Sequence, residues 1–161
     1  MSFSLTPKEY LDLAKQAFEE FKAEPLSKRR LISVCVFVNH LPEIVFAEYI
    51  NSNPAKVQNH RDDDVYRTTA TAQCAEIGIV RDLCDFGKHG PVLGRKTVVV
   101  KNTGAKEIIV LDAGMFLLGF PTHRKVEKLV VEMKDKSERT AESVVATALE
   151  FWEQKFVTDG L

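Results

Sequence analysis

With 161 residues, 45% of them hydrophobic and 28% charged, the chain has the length and apolar content for one domain whose core needs neither disulfide nor metal. A formal net charge of −1 excludes a global positive field that would gather nucleic acid or an anionic membrane. The cysteines are Cys35, Cys74 and Cys84, an odd number without Cys-x-x-Cys spacing, which argues against a disulfide framework or a zinc knuckle. Met1 to Lys8 contain no apolar signal core, and polar residues or proline interrupt the apolar runs before membrane-spanning length. The expectation is a cytoplasmic protein with no membrane partner.

Thr6-Pro7-Lys8-Glu9 reads as an N-cap with a capping box, opening a helix whose apolar positions are Leu11, Ala14, Phe18 and Phe21. Glu24-Pro25 ends it. Ser27 caps a second helix with Leu31, Val34, Cys35, Val38, Leu41, Val45 and Tyr49 on one face, kinked or split near Asn39-His40 by Pro42. The β-branched content of residues 32–38 also fits a strand, but the helical spacing persists for longer. Residues 51–64 read as a polar loop, and a third helix follows with Tyr66, Ala70, Cys74, Ile77 and Cys84 inward, stopped by Gly87 and Gly90-Pro91. Residues 95–111 read as a hairpin turning at Asn102-Thr103-Gly104. Met115 to Phe120 and Val126 to Met133 are further strand candidates, with a tight turn at Asp135-Lys136. A last helix over residues 140–157 holds Val144, Ala148, Phe151 and Phe156 inward, with Trp152 close to that face.

Charge is unevenly distributed. Phe86 to Lys128 is net +5, leaving −6 elsewhere, so a local basic surface is one reading and lysine-guarded strand edges are the other. The densest chemistry is the run Arg81-Asp82-Leu83-Cys84-Asp85-Phe86-Gly87-Lys88-His89-Gly90. On a helix, Arg81, Asp85 and His89 fall at i, i+4 and i+8, and all five charged or titratable residues lie within an arc of about 120°. Ion pairs Arg81–Asp85 and Asp85–His89, worth a few tenths of a kcal/mol each, are the purely structural account. A phosphate clamp by the guanidinium with the imidazole as acid/base is the functional one. His40-Leu41-Pro42-Glu43 together with Asp85 and His89 suggests a carboxylate–histidine metal site, but the first and last helices offer no matching Glu-x-x-His, so no metal is expected. His60 and His123 fall in expected loops and read as solvent-exposed. No glycine-rich phosphate loop and no nucleophile elbow are present, and no cofactor is expected.

The run resembles the Arg-Asn/Asp…His motif of the HEPN superfamily of small helical bundles, on Arg81, Asp82, His89 and Gly90. It is also similar to bacterial and phage-associated proteins with an Arg-Asp-x-x-Asp-x-x-Lys-His helix end, a β insertion and a Trp-containing last helix, on Arg81, Asp82, Asp85, Lys88, His89, Ser137 and Trp152. The resemblance implies a homodimer in which Arg81 holds a phosphate, His89 moves a proton and Asp85 orients His89, with Lys88, Arg95 and Lys96 adding phosphate contacts. Here the interval between Arg81 and His89 exceeds the motif's usual spacing by at least one residue, which advances the imidazole by about 100° and 1.5 Å. That separates binding from metal-independent RNA cleavage, which tolerates little misplacement.

The expected fold is therefore α+β in one domain, a four-helix bundle (helical over 5–90, last helix 140–157) with a small antiparallel β-meander inserted at 93–133, between the third and fourth helices. The expected function is a HEPN-like module, phage- or defence-associated, that engages RNA or another phosphate-bearing partner. The alternative is a non-catalytic protein-interaction domain whose charged face is structural.

Overall fold

Helix α1 (Pro7–Ala23) starts where the sequence says it should. Thr6 accepts from the Glu9 amide, Glu9 returns a bond to the Thr6 amide at 2.8 Å, and Pro7 occupies the first turn, where its missing N–H costs nothing. The computed structural model describes residues 5–89, 99–111 and 123–161. Within these residues the chain is α+β, with five α-helices and one three-stranded antiparallel sheet.

Helix α2 (Lys28–Tyr49) is capped by Ser27 and runs on through Pro42 as one helix, so of the expected kink or split the split does not occur. Its face of Leu31, Val34, Cys35, Val38, Leu41 and Val45 is fully enclosed, and α1, α3, α4 and α5 all pack on it. Among the described residues α2 is also the helix long and apolar enough to cross a membrane, which the sequence reading did not anticipate; here that apolar face makes the core.

The loop after α2 contains a short 3₁₀ turn, Pro54–Val57, that buries Val57. The expected third helix is two helices, α3 (Asp63–Gln73) and α4 (Ala75–His89), separated at Cys74, whose backbone is extended (φ −141°, ψ 105°). The inward residues Ala70, Cys74 and Ile77 keep helical phase across the break, so periodicity carried no sign of it. The break is tied down by Glu76, which accepts from the Cys74 thiol at 3.3 Å and from Arg139 in the sheet.

The sheet has the order β1 (Val100–Leu111), β2 (His123–Met133), β3 (Glu138–Thr140). The expected hairpin within 95–111 is replaced by one continuous strand. Asn102-Thr103-Gly104 does not turn, and Gly104 lies opposite Val130 in the ladder. The candidate strand Met115 to Phe120 lies outside the described residues. The register slips between Val100 and Asn102, leaving Lys101 as an extra residue. Opposed residues in an antiparallel ladder project to the same side. Val100 opposite Met133, Thr103 opposite Val131 and Ala105 opposite Leu129 therefore share the face that meets the helices, and the bulge is what allows an even and then an odd series to do so. β3 pairs only with Val130–Glu132 of β2, so the outer part of β1–β2 is a two-stranded ribbon among the described residues. Ile109, on the helix-facing side of that ribbon, is 65% exposed.

After Lys136, which takes a left-handed φ of 71°, the chain enters β3 and then α5 (Ala141–Asp159). Thr140 caps α5 and Gly160, at φ 64°, ends it. Trp152 is enclosed, its ring 6.5 Å from that of Tyr66.

Candidate functional site

Helix α4 carries the charged run. It remains helical through His89, so positions 81, 85 and 89 lie on one stripe and span about 12 Å of helix axis. Arg95 and Lys96 lie outside the described residues, as do the side chains of Lys88 and His89. What can be placed is Arg81, Asp82 and Asp85.

Asp82 is the residue whose environment is most constrained. It is 0% exposed, and one carboxylate oxygen accepts from the backbone amides of Val99 at 2.7 Å and Val100 at 3.0 Å. The other oxygen makes no hydrogen bond, but faces the Arg81 guanidinium at 3.6 Å. A buried carboxylate is tolerable only with such partners. Asp82 therefore fastens the root of β1 to the middle of α4. It is a structural fastening within the run that carries the resemblance.

Arg81, with 34% of its side chain exposed, takes Asp82 as its carboxylate. The Arg81–Asp85 ion pair expected from i, i+4 spacing does not form. Asp85 is half-buried on the same stripe. Its pairing with His89 falls on a side chain outside the described residues.

Of the two readings of the basic segment, an open cationic surface and lysine-guarded strand edges, the described sheet lysines fit the second in being paired. Lys101 pairs with Glu132 at 2.6 Å and Lys125 with Glu107 at 2.7 Å, while Lys106 meets Glu138 and Lys128 meets Glu142. The ladder sets Lys106 opposite Lys128 and Glu107 opposite Glu127, both unfavourable like-charge pairs. Those glutamate and lysine partners relieve the repulsion.

Other titratable groups are engaged in the fold. His40 Nδ1 lies 3.0 Å from Glu43, three residues on along α2. His60, expected in solvent, is half-buried with Nε2 3.2 Å from the Thr69 hydroxyl, next to the Tyr66 ring. All three cysteines are buried. Burial pushes the Cys35 thiol up, with the neighbouring Cys84 adding to it. Burial followed by the hydrogen bond to Glu76 pushes Cys74 up to about 11. Burial acts to raise the Glu76 carboxyl as well, but the bonds from Arg139, its own backbone amide and Cys74 outweigh it and leave the group below its ordinary value.

Sequence reasoning missed a cavity of about 270 Å³ between α2, α4 and the root of β1. Leu31 and Ile32 form one wall and Leu83 and Phe86 the other. On α4 these last two lie about 140–200° round the helix from Arg81, so the cavity and the charged stripe are separate surfaces. Gly87 also lines it, and a Cβ there would come within 2.7 Å of Ile32. The chain matches no protein-family model, and comparison with curated proteins and with solved structures finds no match either.

Proposed function

We propose that this chain is a non-catalytic protein-interaction module of the cytoplasm, with a HEPN-like helical arrangement interrupted by the sheet. The observation that carries this reading is the state of the charges. Asp82 is enclosed on backbone amides, and Lys101, Lys106 and Lys128 hold glutamates from outside the net +5 segment, which lowers it to net +2. The contact surface is the outer β1–β2 ribbon, where Ile109 stands in solvent and Ile108, Val110 and Val126 are half-exposed. A second copy is the first partner to test, because among the described residues no further strand pairs with the outer part of this ribbon, and an unpaired edge invites strand pairing.

A second reading has one observation of its own: a third of the Arg81 side chain remains exposed on the stripe that leads to His89. In that reading Arg81, Asp85, Lys88 and His89 engage RNA or another phosphate-bearing partner. A span of about 12 Å along one helix favours a two-chain site for any chemistry on one phosphate.

Two measurements separate the readings. Sedimentation of wild type and Ile109→Glu tests self-association, expected in wild type, weakened by the substitution and insensitive to salt. Fluorescence anisotropy with single-stranded RNA tests the other. Binding that falls steeply with salt and disappears in Arg81→Ala overturns the protein-interaction reading. RNA cleavage lost in His89→Ala would establish the catalytic version.

A further inference from the structure

The cavity between α2 and α4 has a chemical character of its own. Its walls are aliphatic and aromatic, from Leu31, Ile32, Leu83 and Phe86. Its polar lining comes from Lys28, Asn102 and Thr103. The Thr103 hydroxyl is shielded from solvent and has no hydrogen-bond partner, which is a cost unless something else supplies one. Asn102 accepts from the Thr103 amide through its side-chain oxygen at 2.9 Å, which turns its NH₂ elsewhere. Lys28 is exposed, with no carboxylate in ion-pair range among the described residues.

The start of α2 supplies an independent sign. Lys28, Arg29 and Arg30 occupy its first turn, which contains no acid. A helix N-terminus disfavours cations and favours anions, so this arrangement works against the local field. Arg30 is compensated by Glu20 and Glu24, but Lys28 is not. A local conflict of this kind beside a cavity marks a place where a negative charge is missing.

We propose that the cavity binds a small amphipathic acid, an apolar body of a few carbons bearing one carboxylate. The body lies between Ile32 and Phe86. The carboxylate meets the Lys28 ammonium and accepts from the Thr103 hydroxyl and the Asn102 amide. The volume lies below the roughly 300–1,000 Å³ usual for drug-sized ligands, so the ligand is correspondingly small. This inference is independent of the ribbon and of the Arg81 stripe.

The test is methyl and amide NMR titration with octanoate, with 1-octanol and inorganic phosphate as matched controls. Octanoate is expected to shift Leu31, Ile32, Leu83 and Thr103 together, 1-octanol to bind more weakly, and phosphate to leave the wall methyls unmoved. Lys28→Gln, an exposed change that the fold tolerates, is expected to weaken octanoate about threefold to fivefold, as for a partly exposed ion pair. Thr103→Val keeps the side-chain shape and is expected to weaken it as well. The proposal is overturned if octanoate moves nothing up to about 5 mM, above a ~1 mM dissociation constant. It is equally overturned if the shifts lie elsewhere, or if Lys28→Gln binds octanoate as wild type does.

Discussion

Replacing Asp82 with alanine is the most direct test of how the sheet is held to the helices. The carboxylate is 0% exposed and accepts two amide bonds, from Val99 at 2.7 Å and Val100 at 3.0 Å. Hydrogen bonds to a charged group contribute about 1.5–3 kcal/mol each, and a buried donor left unpaired costs ~1–3 kcal/mol. Val100 is itself fully enclosed, so water cannot readily replace the lost acceptor at its amide. Allowing for partial relaxation at the half-buried Val99, the expected loss is about 3–5 kcal/mol, a large part of a typical domain's stability. At this chain length that corresponds to a fall of about 6–20 °C in Tm. Asp82→Asn keeps one acceptor for both amides but aims an NH₂ at the Arg81 guanidinium, and should lose about 1–2 kcal/mol. Arg81→Ala removes only a 3.6 Å contact from a third-exposed side chain and should stay within about 1 kcal/mol. The assays are urea unfolding followed by circular dichroism and amide exchange at Val99 and Val100, with Val144 in α5 as the reference amide. A loss below about 1 kcal/mol for Asp82→Ala, or unchanged exchange at Val100 relative to Val144, refutes the reasoning.

Three further outcomes are expected. Glu76 sits below its ordinary carboxyl value, so the stability it contributes is full above the unfolded value near 4.5 and is lost as pH falls through the lower folded value; Glu76→Gln should flatten the acid limb of stability against pH. Gly87→Ala places a Cβ within 2.7 Å of Ile32 and should destabilise by about 1–2 kcal/mol despite alanine's better helix propensity, whereas adding Ile32→Ala should make the same change favourable, a coupling read from a double-mutant cycle. Cys35, Cys74 and Cys84 should resist alkylation at pH 8 and all react in guanidinium, because the three are buried and the thiols of Cys35 and Cys74 are pushed up; rapid native labelling at any of them contradicts that placement.

The legible parts of the fold are those set by neighbours in sequence. The start of α1 followed from Thr6, Pro7 and Glu9, and α5 from the helical spacing of Val144, Ala148 and Phe151, because caps and amphipathic faces are local signals. The break at Cys74 was hidden because inward residues kept their phase through it. The turn expected at Asn102-Thr103-Gly104 failed because long-range pairing with Val130 and Val131 outweighs local turn preference. The charged run was conspicuous, but the fate of Asp82 was not, since its partners are backbone amides 17 and 18 residues away, invisible to side-chain spacing. The cavity was illegible for the same reason, being made by three elements distant in sequence.

The extra residue at Lys101 is slack at the root of β1. Removing it would bring Val100 and Asn102 into consecutive pairing with Met133 and Glu132, and Thr103, Ala105 and Ile109 would keep their faces. Removing a residue farther out, where the ladder holds no spare, would turn the distal strand over like a page and carry Ile109 to the other side. The strand should thus absorb a deletion at its base and be intolerant of one beyond it.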